Sequence, residues 1–140
     1  MDVDPTINRL RAQLTNLRQV GGAADLDAAL AGAVAVPAVF VVPLAESGSS
    51  NTLVGGLSQR VQQEVGVLQV VANRRDATGQ AALADLSALR LAVRQAMVGW
   101  VPDPANGERY EYRAGRLIRM DGDGRLWWID QFVVNTYYRA

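Results

Sequence analysis

Residues 109–138, with the sequence RYEYRAGRLIRMDGDGRLWWIDQFVVNTYY, decide the fold. Two runs rich in β-branched and aromatic residues flank the DGDG segment at 121–124, and Asp-Gly units supply the positive φ angles of short hairpin turns. A calcium loop of the EF-hand type would need an oxygen donor and a glutamate where the chain has Arg125 and Phe132. The stretch therefore predicts an antiparallel hairpin with a tight turn.

The second run of this hairpin is apolar on both faces. One parity carries Trp127, Ile129 and Val133, and the other carries Leu126, Trp128, Phe132 and Val134. Both faces of such a strand must be kept from water, either by a central position inside the subunit or by a neighbouring subunit. The sequence leaves these two alternatives open. Asp130 interrupts the second apolar face, so it needs an Arg or backbone donors as partners.

The first run of the hairpin alternates between apolar and charged residues. The alternation predicts a strand with one buried and one wet face. The apolar face carries Tyr110, Tyr112, Ile118 and Met120, and the charged face carries Arg109, Glu111, Arg113 and Arg119.

Two amphipathic helices are predicted before the hairpin. The first runs from about Pro5 to Gln19, with Asp4 as its N-cap and Pro5 at its first position. The second runs from a cap at Asp76 or Thr78 to about Val98. Its apolar stripe comprises Leu83, Leu86, Leu89, Val93, Met97 and Trp100. Such stripes at spacings of three and four residues predict helices that pack on a sheet.

Two further strands complete the expected architecture. They are predicted at Val34–Leu44, a β-branched run bracketed by prolines, and at Ser58–Asn73, whose first half alternates. Residues 23–32 are alanine-rich and predict a short helical turn or a linker. The order of elements predicts an α+β fold, with a mainly antiparallel sheet of about four strands and two main helices on one face. We expect one domain over residues 1–140.

The surface features point to assembly rather than chemistry. A small, polar and glycine-rich segment at about 45–57 predicts a flexible loop, in which the apolar pair Leu53 and Val54 has no obvious core to enter. The strand that follows presents a wet face, and Arg74-Arg75 at its end form either an anion or nucleic-acid patch or a solvated terminus. The candidate contacts with other proteins or other copies of the chain are Leu53, Val54, Arg60, Gln62, Glu64, Arg74, Arg75, Trp127 and Asp130.

The composition excludes several kinds of site. The 140-residue chain has no Cys, no His and no Lys, and its 14 basic side chains are all Arg. Thiolate and imidazole metal ligands, His-dependent triads and Schiff-base lysines are therefore absent. We expect no catalytic residues, no metal site and no cofactor. The formal net charge is zero, so tight non-specific DNA binding is not expected either. The amino terminus lacks a secretory signal, and no apolar run predicts a membrane span.

Most of the chain resembles the tail terminator proteins of long-tailed bacteriophages. The likeness rests on the order and length of elements and on residues 68–76 (LQVVANRRD), 98–104 (VGWVPDP) and 128–132 (WIDQF). The resemblance implies a small structural subunit without catalytic residues, which closes into a homo-hexameric ring on the last ring of the tail tube protein. It implies that the ring stops tube polymerisation and then meets the head-completion or connector protein.

The same resemblance implies where the protein acts. It would be assembled in the host cytoplasm and reside at the head-proximal end of the virion tail. DNA would pass through the lumen of the ring without sequence-specific binding, and no membrane would be involved.

Two other interpretations remain open from the sequence. One is a different neck protein of similar size, such as a head-completion or stopper protein, which would bind the portal side instead of the tube end. The other is a small metal-independent enzyme or ligand-binding domain, which would need a deep pocket lined by Arg and Asp.

Overall fold

A computed structural model describes residues 1–72, 80–122 and 124–140 of the chain. Its helices and strands are α1 Asp4–Gln13, β1 Gln19–Gly21, α2 Ala23–Leu30, β2 Ala38–Gly48, β3 Ser58–Ala72, α3 Gln80–Met97, β4 Glu111–Met120 and β5 Arg125–Arg139. The predicted α+β class is confirmed.

The sheet has five strands in the order β1-β2-β3-β5-β4, so the expected number of about four is wrong by one. β1 pairs with β2 in parallel, whereas the other three pairings are antiparallel. A strand of three residues is too short to show alternation, so β1 left no signal in the sequence. The sheet is therefore mixed, with a short parallel edge.

The DGDG hairpin is present as predicted. The N–H of Asp121 donates to the carbonyl of Arg125 at 2.9 Å, and the N–H of Gly124 donates to the carbonyl of Asp121 at 3.1 Å. Gly124 has a φ of +87°, the left-handed conformation that glycine adopts without strain. The turn places β4 and β5 side by side in antiparallel register.

Helices cover both faces of the sheet, but unequally. α1 and α3 pack on one face, as expected for the two main helices. Their cluster includes Leu10, Val39, Val65, Val67, Val93, Met97 and Phe132. α2 packs on the opposite face, where the buried cluster includes Ala29, Phe40, Leu68, Val70, Trp127 and Ile129. The first half of β5 is thus a central strand inside the subunit, one of the two alternatives that its sequence left open.

Three boundaries differ from the predictions. α1 ends at Gln13 instead of Gln19 because Leu14 turns to an extended conformation, and its residue before the first turn is Val3 instead of Asp4. β2 runs four residues later than predicted, through Gly48, so the start of the expected loop belongs to the strand. The predicted caps of α3 at Asp76 or Thr78 lie outside the described residues.

The buried stripe of α3 is shifted by one residue at its start. Leu83 is 54% exposed, whereas Ala82 and Leu86 are buried. Ala82, Leu86, Val93 and Met97 repeat at spacings of four and seven residues and so share one side of the helix. Leu83 lies about 100° around the helix from Ala82 and misses that side.

The expected buried face of the first hairpin strand is wrong for β4. Tyr112, Ile118 and Met120 are exposed, and Tyr110, which is buried, precedes the strand. β4 is an edge strand, and its register shifts between Tyr112 and Ala114 and again between Leu117 and Arg119. Each shift changes which side chains share a face. Strict alternation therefore fails along this strand.

Candidate assembly surfaces

The connection between β2 and β3 is built around one asparagine. Asn51 Oδ1 accepts hydrogen bonds from the N–H groups of Leu53 and Ser58 at 3.2 and 2.9 Å. Its Nδ2 donates to the carbonyls of Leu53 and Gly56 at 3.2 and 2.9 Å. One side chain thus links both ends of a turn whose backbone would otherwise depend on water.

The turn presents two apolar side chains at the surface. Val54 is 97% exposed and Leu53 is 52% exposed. The base of the turn is joined to the carboxy terminus, because Leu57 and Ala140 exchange backbone hydrogen bonds at 3.1 and 3.2 Å. The predicted contacts Leu53 and Val54 therefore lie at the tip of a hydrogen-bonded turn. The flexibility expected for this loop stays a prediction.

The wet face of β3 lies on the sheet face that α2 covers only in part. Arg60 and Gln62 are exposed there, and Glu64 is half-buried. Arg113 of β4 reaches across β5 and forms an ion pair with Glu64 at 3.3 Å. We define Arg60, Gln62, Glu64, Arg113 and Tyr137 as the open face. The structure brings three of the predicted contacts together on this surface.

Glu108 adds a second carboxylate beside the open face. Tyr137 pairs in register with Arg60, and its hydroxyl donates a hydrogen bond to the Glu108 carboxylate at 2.7 Å. The side-chain amide of Asn135 donates a second hydrogen bond to this carboxylate at 3.3 Å. The hydrogen bond from Tyr137 lowers the pKa of Glu108 below its ordinary value, and the same bond raises the pKa of Tyr137. Glu108 therefore stays ionised at neutral pH.

Trp127, a predicted contact, lies inside the subunit. Its side chain is only 1% exposed and belongs to the cluster beneath α2. Its indole N–H donates to Asp121 at 2.9 Å, and the guanidinium of Arg119 lies 4.7 Å from the ring centre. This tryptophan closes the core beside the hairpin turn and is not available to another protein.

Asp130, the other internal member of the predicted set, is fully buried. Its carboxylate forms an ion pair with Arg90 at 3.0 Å. It also accepts hydrogen bonds from Gln69 Nε2 at 2.7 Å and from the indole N–H of Trp128 at 2.9 Å. Of the two expected kinds of partner for Asp130, an Arg or backbone donors, the structure shows the Arg. This cluster fastens α3 to the centre of the sheet.

Arg90 was not among the predicted site residues, although the sequence carries a signal for it. It follows Leu86 by four residues and precedes Val93 and Met97 by three and seven, so it lies on the buried side of α3. Its guanidinium stacks 4.3 Å above Trp128, and the hydrogen bond to Asp130 raises the pKa of Arg90. A buried charge needs a partner of opposite sign. An arginine on the buried stripe of a helix and an aspartate on the buried face of a strand therefore indicate an ion pair between them.

Arg74 and Arg75 lie outside the described residues.

The exposed apolar side chains of β4 are a surface that the sequence analysis missed, because alternation assigned them to the core. An edge position is the physical reason, and it becomes visible only when the strand order is known.

Two clefts lie between elements of the subunit. The larger, of about 490 Å³, lies between the end of α1 and α3 and contains Asp85, and the other, of about 440 Å³, contains Asp2 and Asp103. Neither has an Arg among its described lining residues, so the pocket expected of an Arg-dependent ligand-binding domain is not found there. Within 1–72, 80–122 and 124–140, no group of three or more carboxylates could hold a metal ion. No helix in these ranges could span a membrane.

The structure defines a small α+β protein with a five-stranded mixed sheet and three helices. A family model for the phage tail terminator protein matches residues 1–140, the whole chain. The chain therefore belongs to the phage tail terminator family, which confirms the resemblance drawn from its sequence. It is a structural component of the phage virion tail. Among curated proteins, none matches the sequence significantly.

Proposed function

We propose that this chain caps the tail tube, stops tube polymerisation and provides the surface that joins the tail to the head. The observation that carries the proposal is the family match over all 140 residues. In this proposal the working form is a homo-hexameric ring at the head-proximal end of the tail. The ring assembles in the host cytoplasm and acts without catalysis.

The tip of the β2–β3 turn is the proposed contact with the tail tube protein. Leu53 and Val54 are held outward by the hydrogen bonds of Asn51, so binding would order little additional backbone. Burying two aliphatic side chains contributes about 1.5–3 kcal/mol each when they become fully covered. Repeated around a ring, such a contact binds with avidity.

The open face suits a surface that DNA passes without being bound, either in the lumen of the ring or at the contact with a partner protein. Arg113 is paired with Glu64 at 3.3 Å, and Glu108 lies within the electrostatic reach of Arg60. Each cation therefore has a carboxylate nearby. Since non-specific DNA affinity depends on unneutralised Lys and Arg, a mixed surface of this kind lets DNA pass. The head-completion protein is the proposed partner on the side of the ring away from the tube.

Capping is tested with purified tail tube protein of the same phage, polymerised with and without this chain. We expect negative-stain images to show tubes of arrested length with extra density at one end. Tubes that elongate equally in both samples and carry no end density contradict the proposal. Binding to an isolated portal-side connector instead of tubes would establish the other neck-protein interpretation.

The contact at the turn is tested with the double variant L53S/V54S. We expect unchanged circular dichroism and a loss of tube capping, because both side chains are exposed and Asn51 retains its backbone partners. The matched control is L83S, which replaces an equally exposed leucine on α3. Equal capping by L53S/V54S, L83S and wild type would place the tube contact elsewhere.

A further inference from the structure

The edge strand β4 exposes an unusual amount of apolar surface. Tyr112, Leu117, Ile118 and Met120 are 40%, 45%, 38% and 65% exposed. β4 pairs with β5 on one side only, so its other side is an open sheet edge within the described residues. Single exposed apolar side chains are normal on a protein surface. Several of them grouped along one strand instead mark a contact surface.

The same strand is basic. It carries Arg113, Arg116 and Arg119 against the single acid Glu111. Arg113 is paired with Glu64 and Arg119 with Asp121 at 3.3 and 3.0 Å. Arg116 forms no ion pair with any residue that the structure describes. One cation without an ion-pair partner therefore lies on this edge, on the face of β4 opposite to Leu117 and Met120, since Arg116 pairs in register with Ile129 and these two pair with Trp128 and Leu126.

The opposite edge of the sheet carries two acidic side chains on its helix, while Arg11 donates a hydrogen bond to the carbonyl of Val20 in its strand at 2.8 Å. It consists of β1 and the following α2, which carries Asp25 and Asp27 and no basic residue. Asp25 accepts a hydrogen bond from the N–H of Gly22 at 3.0 Å. Asp27 has no ion-pair partner among the described residues, and Leu30, close to it on α2, is 44% exposed. This edge therefore offers the negative charge that is scarce on β4, and an exposed leucine that can pack on its apolar side chains.

The geometry points to a contact between copies of this chain, in which β4 of one copy packs against the β1–α2 edge of the next. Arg116 meets Asp27 on one side of the edge strand, and Leu30, about one helical turn further along α2, packs against Leu117 and Met120 on the other side. Two different surfaces of one chain form a head-to-tail contact, which closes into a ring when the rotation per subunit allows it. This inference rests on the proposed function, since it assigns the subunit interface of the proposed ring.

The bulges of β4 fit this interpretation. Irregular register and arginines on an edge strand discourage pairing with arbitrary strands. A contact made by side chains of opposite charge allows a second copy of the chain to bind. It does so without pairing of the strand edges, so the protection against arbitrary strands is kept. The interface is therefore side-chain packing beside an ion pair and not an extension of the sheet.

Charge reversal tests the contact with the full chain. R116D and D27R each place like charges opposite one another, and we expect at least about a tenfold weaker association in each, measured as mass by light scattering. The double variant R116D/D27R has opposite charges again and regains the wild-type mass. An equimolar mixture of the two single variants also regains it, because alternating copies are complementary at every contact. Recovery in the mixture shows that both variants are folded.

Two controls accompany the reversal. D85R reverses an exposed aspartate on α3 and leaves the mass unchanged, whereas M120S weakens association without changing any charge. Single variants that keep the wild-type mass overturn the inference while the proposed function stands. Single variants that keep their mass but lose tube capping also overturn it, since the edge then binds the tube protein. A wild-type chain that stays monomeric at every concentration overturns both the inference and the proposed ring.

Discussion

Two carboxylate clusters lie on opposite faces of the same region of the sheet, and their environments differ completely. Asp130 lies beneath α3 with Arg90, Gln69 and Trp128 as donors, and no part of it reaches water. Glu64 lies on the open face, with Arg113 as its ion-pair partner at 3.3 Å. Both pairs join an arginine to a carboxylate at nearly the same distance.

The comparison teaches that burial, more than geometry, decides what such a pair does. A buried carboxylate that loses its partner keeps a charge that water cannot solvate, so the whole fold depends on the pair. The pair on the open face is in contact with water, since the side chain of Arg113 is 52% exposed and that of Glu64 18%, so the pair can be exchanged for contacts with water at a lower cost. The first pair therefore maintains the subunit, whereas the second is free to exchange its partner for one on another protein.

The largest effect is expected from Trp127→Ala. The indole is 1% exposed, so its removal leaves a cavity in the cluster beneath α2. We expect the free energy of unfolding to fall by about 3–5 kcal/mol in urea denaturation. The oligomer mass should be unchanged wherever the variant is folded. A lower mass at unchanged stability would instead make Trp127 an interface residue.

Arg90→Ala should destabilise the subunit by about 3 kcal/mol, because Asp130 then remains buried and unpaired. Replacing both partners by neutral residues, in R90M/D130N, removes the charge as well as its partner and keeps an acceptor for Gln69 and Trp128. We expect the double variant to recover much of the lost stability in the same urea titration. A double variant as unstable as Arg90→Ala would show that the pair itself, and not the orphaned charge, dominates.

Arg113→Ala removes the partner of Glu64 on the open face and sharpens the contrast with Arg90→Ala. The side chain of Arg113 is about half exposed, so we expect a loss below about 1 kcal/mol. The loss should shrink further in high salt, since exposed pairs are screened. A salt-independent loss above about 2 kcal/mol would mean that the open face is sealed from water.

The smallest effect concerns the pKa of Glu108. Tyr137→Phe removes the hydroxyl that lowers this pKa, so the pKa should rise toward its ordinary value of 4.5. In the wild type, the stabilisation from Glu108 is present above its unfolded pKa and is lost as the pH falls through the folded pKa. An NMR titration of the Glu108 carboxyl measures the shift. An unchanged titration midpoint would show that the hydroxyl does not bind this carboxylate in solution.

Much of the fold could be predicted because its signals are local. The DGDG turn, the long strand now seen as β3 and the apolar repeat of α3 each depend on residues close together in the chain. The need of Asp130 for a cation was also readable, from one charge on an apolar strand face. Its partner Arg90 was readable too, on the buried stripe of α3, but the prediction did not make that connection.

The site was harder to predict, because exposure is a property of the whole molecule. Leu53, Val54, Arg60 and Gln62 are exposed as expected, whereas Trp127 and Asp130 are internal. Aromatic and charged residues that signal an interface in sequence also signal a packed core with a buried ion pair. The two cases differ only in what covers the strand.

By itself the sequence determined the hairpin, the α+β class and the absence of Cys, His and Lys, because these follow from residue types and short-range patterns. Membership of the tail terminator family rests on the match along the whole chain. Only the tertiary structure decided that Trp127 is buried in the core cluster on the α2 side of the sheet and that β4 lies at an open edge. Strand order and the covering of each sheet face depend on contacts between residues far apart in the chain. The alternation of apolar and polar residues along one strand does not show which strand pairs with it or which helix packs on it.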